Sequence, residues 1–186
     1  MILFFSADSK EEIIMDTEKK RKRNKAKKNN SIPNKVRRYG GDIMKSEAFI
    51  RSVSETHHLH GTVSSHTLTV CKVSLHISRF LNVFGFRVNE KDLVEAALCH
   101  DLGMVGRDEK YDSRTDAWKE HPEESLKIAR ELIPDLSENA ESLILSHMWP
   151  VAGPPPRSRE AVILNFADKI GSMADWKDYL FRRFSR

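Results

Sequence analysis

Apolar residues along this chain recur mainly at intervals of three and four, the spacing of helices with one buried face. The clearest run is Val63 to Val83, where Val63, Leu68, Val70, Val73, Leu75, Ile77, Phe80 and Leu81 predict a long core helix. Asn89 then precedes Glu90, Lys91, Asp92 and the apolar set Leu93, Val94, Ala96, Ala97 and Leu98. That order reads as an N-cap followed by a buried helix, with Gly103 as its stop. His100 and Asp101 therefore fall in the last turn. His121-Pro122-Glu123-Glu124 reads as a helix start, with proline at the first helical position and acids near the positive end of the dipole. This helix is predicted to run to about 133. Another covers about 136–148 and cannot continue through Pro150 and the Gly153-Pro154-Pro155-Pro156 loop. The last runs from 159 to about 181 and carries Asp168. No stretch alternates with a period of two and no internal repeat is visible, so the predicted fold class is all-α, a single globular domain.

The N-terminal part departs from this pattern. Residues 19–38 contain 11 Lys or Arg and no acidic residue, and 19–31 has no apolar periodicity. Such a stretch buries too little apolar surface to offset its ordering entropy. It is expected to be a flexible basic tail, residues 1–41, with the folded domain spanning 42–186. The whole chain of 186 residues has a net charge of +4, but without residues 19–38 it has 20 basic against 27 acidic side chains. The domain itself is acidic, so the basic overall charge does not make it a nucleic-acid binder. A weak nucleic-acid contact through the tail is the most the charge implies, because no aromatic residues interleave the run for base stacking. At 39% apolar and 31% charged residues, the chain has the composition of a globular protein. Met1-Ile2-Leu3-Phe4-Phe5 is too short for a signal or a membrane span. Cys71 and Cys99 lie in apolar helical contexts without a paired spacing. A cytoplasmic protein with no membrane attachment is expected.

Chemistry concentrates in the histidines. His66, His100, His121 and His147 occupy four separate helical segments, with Asp101 and Asp168 beside them. A single helical histidine is usually a surface or hydrogen-bonded residue; a set of this kind changes the odds. Imidazole and carboxylate donors in this mix suit Fe, Mn, Zn or Ni better than Ca or Mg. The run His57-His58-Leu59-His60 is a candidate for the mouth of the same site. His76, ten residues beyond His66, should face elsewhere, and Trp118, Trp149 and Trp176 read as packing residues, with Trp149 close enough to a candidate ligand to shape the site.

The order His66, His100-Asp101, Asp168 on helices of one domain resembles the HD superfamily of metal-dependent phosphohydrolases. The likeness covers roughly residues 55–175 and is carried by Ser65-His66-Thr67, by Ala97-Leu98-Cys99-His100-Asp101-Leu102-Gly103 and by Ala167-Asp168-Lys169-Ile170. His121-Pro122 and Ser146-His147-Met148-Trp149-Pro150 resemble the additional histidines of two-metal members, and the latter segment looks most like a bacterial subgroup. The resemblance implies an HD-type helical bundle holding two divalent transition metals. His66, His100, Asp101 and Asp168 would ligate one, and Asp101, His121 and His147 the other. It also implies hydrolysis of a small phosphorylated substrate by metal-activated hydroxide, with Asp101 bridging the ions. Lys169 is the first candidate for a cationic group acting on the substrate, followed by Arg157 and Arg159. The branch that hydrolyses cyclic dinucleotides has a Gly-Tyr-Pro motif where this chain has Val151-Ala152-Gly153-Pro154. Two other readings stay open: a catalytically inactive HD fold serving as sensor or scaffold, and a nucleic-acid-associated protein using its basic tail.

Overall fold

The computed structural model describes residues 7–57 and 61–184. It is all-α apart from one short ladder. In chain order the helices are α1 (Ala7–Asn29), α2 (Ile32–Gly40), α3 (Glu47–Arg51), α4 (Val63–Val83), α5 (Glu90–Cys99), α6 (Arg107–Lys110), α7 (Arg114–Leu132), α8 (Glu138–Ser146) and α9 (Arg159–Phe184). Two 3₁₀ turns, Ile43–Lys45 and Leu102–Met104, join some of them. The strands β1 (Thr56–His57) and β2 (Gly61–Thr62) pair antiparallel just before α4. Among the described residues no helix is long and apolar enough to cross a membrane.

The centre of the bundle is α5, buried at every position from Asp92 to Cys99. Helices α2, α4, α7, α8 and α9 surround it. A helix apolar all round can be placed only inside such a ring, and the run Leu93, Val94, Ala96, Ala97, Leu98 is of that kind. Its start follows the sequence expectation: the Asn89 side chain accepts from the N–H groups of Lys91 and Asp92. Helix α4 has the predicted limits and begins with a reciprocal cap, in which the Thr62 and Ser65 side chains each accept from the other's backbone N–H. Phe80, expected in the core, is exposed. Cys71 and Cys99 are free and buried, and burial pushes both thiols up to about 12, so they pack as small apolar groups.

Three boundaries differ from expectation. Helix α7 starts well before His121, capped by the Ser113 hydroxyl, which accepts from the N–H of Asp116. Pro122 lies inside the helix, where its fixed φ is tolerated at the cost of one backbone hydrogen bond. The packed core also reaches further toward the N-terminus than Asp42, because Ile32 and Val36 of α2 are buried against it and Lys35 pairs with Glu90 of α5. Residues 19–29, expected to be unstructured, continue the helix α1. Every side chain of α1 that is described is exposed, and none joins the core. Its last turn is tied to α2, where the Ser31 N–H and the Asn34 side-chain amide both donate to the Lys28 carbonyl.

Candidate metal centre

Each of the four histidines projects from a helix end or a helix face toward one point at the C-terminal end of α5. His66 is one turn into α4, held against α9 at Gly171, where an added Cβ would lie 3.2 Å from its Cε1 and 3.0 Å from Val70 Cγ2. His100 is the C-cap of α5, and Asp101 follows it at φ −112°, already out of helical geometry. His121 lies on the inner face of α7, and His147 caps the end of α8. Asp168 comes from the middle of α9. The six are nearly inaccessible: His66, His100 and His147 are 0% exposed, His121 2%, Asp101 4% and Asp168 8%.

Their donor atoms converge in two groups that share one carboxylate. Asp101 Oδ2 lies 3.6 Å from His66 Nε2 and 3.4 Å from His100 Nε2. Asp168 Oδ1 closes that group, at 3.0 Å from His66 Nε2 and 3.7 Å from His100 Nε2. The other oxygen, Asp101 Oδ1, lies 3.2 Å from His121 Nε2 and 3.5 Å from His147 Nε2. The two oxygens of Asp101 thus face two different donor sets.

The hydrogen bonds on the far side of the rings decide which nitrogen is available. His100 Nδ1 bonds the Ala97 carbonyl at 2.8 Å, His121 Nδ1 the Ala117 carbonyl at 2.8 Å, and His147 Nδ1 the Ile144 carbonyl at 2.6 Å. A carbonyl oxygen only accepts, so Nδ1 carries a proton in all three rings, and in the neutral, ligating form of each ring the lone pair turned inward is that of Nε2. Metal-ligating histidines are held in this way. Two further observations show that the donors suit a cation. His100 Nε2 is buried with no hydrogen-bond partner, near both carboxylates but aligned with neither. His121 Nε2 and His147 Nε2 stand 3.0 Å apart, a distance at which two lone pairs repel unless a proton or a cation lies between them.

The electrostatics agree. Burial opposes charge on His100, but the Asp101 and Asp168 carboxylates outweigh it and raise its pKa to about 10. The same carboxylates, despite burial, are held well below their usual range, chiefly by His100. Burial lowers the pKa of His147. The first group therefore retains positive charge in the protein alone, while in the second His147 favours the neutral ring, which is the form that ligates.

The centre opens on a cavity of about 250 Å³. Among the described residues, Asp101, His121 and Asp168 line its polar end, Lys169 and Ser172 stand beside them, and Met104, Trp118, Met148 and Val151 form apolar walls. The Lys169 ammonium donates to the carbonyls of His147 and Asn165, both at 3.3 Å, and burial lowers its pKa. The arginines expected to join it do not line the cavity. Arg159 donates to the Arg87 carbonyl at 2.6 Å and lies over the Phe86 ring, an engagement with the loop ahead of α5. Arg157 is exposed on the proline loop. Trp118, read as a packing residue, is 44% exposed and walls the cavity. His76 is exposed on α4, away from the centre. His58 and His60 fall outside the described residues, as do the side chains of His57 and Trp176.

Sequence reasoning missed Asn165. Its side-chain amide lies 2.8 Å from the carbonyls of His147 and Trp149 and 3.3 Å from that of Ser146, tying the turn that carries His147 to α9. The only signal in the sequence was its place one helical turn ahead of Asp168 and Lys169. Gly103 was read only as a helix stop. Its α-carbon packs so closely on α7 that a Cβ would lie 2.5 Å from the His121 carbonyl oxygen.

Comparison with protein-family models matches the HD domain over residues 63–173, more than half of the chain. The chain belongs to the HD domain family. Every one of the six converging residues lies inside the matched segment, in the order that the sequence reading gave. HD domains are commonly metal-dependent phosphohydrolases, which makes a metal-dependent hydrolase the broad class for this chain. No curated protein and no solved structure matches it.

Proposed function

We propose that this HD domain is a phosphohydrolase that cleaves a small phosphate ester with two divalent transition metals. The observation carrying this reading is Asp101, whose Oδ2 faces one donor set and whose Oδ1 faces the other. A carboxylate on one metal needs no second set of buried imidazoles beyond its other oxygen. His66, His100, Asp101 and Asp168 would hold the first ion, and Asp101, His121 and His147 the second. Nitrogen-rich, carboxylate-completed donor sets favour Fe, Mn, Zn or Ni. When bound, such a pair supplies Lewis acidity at phosphoryl oxygens and lowers the pKa of water to near neutrality.

The protein's own groups do the rest. Asp101 and Asp168 remain ionised and orient a water at the polar end of the cavity. The Lys169 ammonium stands beside them, fixed by two carbonyls, where it can neutralise charge that develops on the phosphoryl group. The apolar walls limit water around the reacting ester and so strengthen these interactions. An inactive scaffold is less well supported, because such a role has no use for three Nδ1-anchored rings with Nε2 turned inward.

The test is to strip the full-length protein with chelator, reload it with Mn or Fe, and assay phosphomonoester and phosphodiester substrates. Metal-dependent release of phosphate or alcohol supports the proposal. Metal uptake without turnover on either ester class would leave a metal-binding scaffold.

A further inference from the structure

The cavity has an uneven character. Its polar end holds the metal-site residues and a single ammonium, Lys169, with the Ser172 hydroxyl alongside. The other lining side chains, Met104, Trp118, Met148 and Val151, offer no hydrogen-bond donor except the Trp118 indole N–H. Arg159, which could have served a second phosphate, is committed to the Arg87 carbonyl and the Phe86 ring. Among the described residues that line the cavity, then, Lys169 is the one cationic side chain, and it stands at the metal-site end. A second phosphoryl group would lie against thioethers and an indole, and a buried charge without a partner is strongly disfavoured.

Trp118 itself is poorly explained by packing. It projects from α7 three residues ahead of His121, on a helix whose buried positions are Ala117, His121, Pro122, Ser125, Leu126 and Ala129. It stays 44% exposed, and Val151, which lines the same cavity, is 63% exposed. Large apolar side chains left open beside a polar centre mark a surface that another apolar group covers. Two methionines adjoin it, and thioethers adapt to flat rings of varied outline.

We infer that the cavity selects phosphate monoesters whose alcohol portion carries a flat apolar ring, seated between Trp118 and the Met104 and Met148 thioethers, and discriminates against small polar alcohols and against polyphosphates. This rests on the phosphohydrolase reading and adds to it the class of leaving group. The phosphoryl end is held by the metal-site residues and Lys169, and the ring gives up water on both faces. The bond cleaved is ester P–O; water supplies the oxygen gained by phosphate and the proton gained by the alcohol.

The experiment compares kcat/KM on metal-replete, full-length protein for 2-naphthylmethyl phosphate and ethyl phosphate, both esters of primary alcohols, with pyrophosphate as a third substrate. Binding of the matching phosphonates, which cannot be hydrolysed, is measured in parallel through tryptophan fluorescence and calorimetry. The expected ratio favours the naphthylmethyl ester by about tenfold or more, the size of one aromatic contact plus ring burial. Trp118→Ala should bring the ratio close to one and Trp118→Phe should restore most of it, with metal content unchanged in both. Met148→Ala gives an independent reduction should Trp118→Ala fold poorly. A wild-type ratio near one, or a high ratio that survives Trp118→Ala, overturns the inference. Absence of all turnover with retained preference for the naphthylmethyl phosphonate sinks the phosphohydrolase reading and leaves the ring site standing. Preference for ethylphosphonate or pyrophosphate rejects the ring site.

Discussion

Replacing Asn165 with alanine separates stability from metal binding in a way that the geometry fixes in advance. The side chain holds the His147 and Trp149 carbonyls at 2.8 Å and the Ser146 carbonyl at 3.3 Å. A net hydrogen bond contributes about 0.5–1.5 kcal/mol, and a buried carbonyl left bare costs more. Here the His147 carbonyl keeps the Lys169 ammonium at 3.3 Å, and the Trp149 end is solvent-accessible. The loss of stability in Asn165→Ala should therefore be modest, about 1–2 kcal/mol by urea unfolding of the metal-free protein. Metal binding should suffer more selectively. The turn from Ser146 to Trp149 presents the His147 ring to Asp101 Oδ1, and loosening groups that orient a ligand typically weakens metal affinity by about 10–100-fold. Calorimetric titration of chelator-stripped protein should show the first ion bound as in the wild type and the second at least about tenfold weaker. Two unchanged binding steps, with stability reduced as stated, would refute the idea that α9 positions His147 through this amide.

Other perturbations have equally definite outcomes. Gly103→Ala should destabilise the protein by about 1–3 kcal/mol, since its Cβ would press on the His121 carbonyl oxygen and on the Ser125 N–H, and thermal unfolding reads the loss directly. Deleting residues 1–30 should leave thermal stability, metal content and turnover unchanged. Deleting 1–40 removes the buried Ile32 and Val36 and should cost about 3–6 kcal/mol. The 1–30 deletion should also abolish any salt-sensitive nucleic-acid binding in a filter or anisotropy assay. For the metal-free protein, His100 has a folded pKa raised to about 10. Its stabilisation is full below the unfolded histidine value and is lost as pH rises through 10, whereas Asp101 and Asp168, with depressed folded pKa values, stabilise above the unfolded carboxylate value and lose that contribution on acidification. Urea midpoints in chelator should therefore fall on both sides of neutrality, and bound metal should flatten the alkaline limb, where His100 is already neutral.

The fold class and the convergence of the six candidate residues were legible, the first from local signals and the second from the histidines together with the family resemblance. The limits of α4 follow from apolar spacing, the start of α5 from Asn89, and the centre from histidines in four segments. What was not legible depended on contacts between segments. Pro122 carries the same signal at a helix start as inside a helix, and only the Ser113 cap and the packing of Gly103 on α7 show which applies. The role of α2 was hidden in a charge run, since Ile32 and Val36 are too few to make a periodic pattern yet are enough to dock on α5. Arg159 was placed near the substrate from its nearness in sequence to the proline loop, but one turn of helix directs it to Phe86 and Arg87. Trp118 and Asn165 gained meaning only when α7, α9 and the turn after α8 came together around the cavity.

The shared carboxylate is tested most directly by counting metal. Wild-type protein and Asp101→Asn, a change that keeps the shape and removes the charge, are stripped, reloaded with Mn or Zn, desalted and measured by elemental analysis. Two ions per chain in the wild type and at most one, weakly held, in Asp101→Asn is the predicted result. Full retention of two ions by Asp101→Asn, or no metal on the wild type, would contradict it.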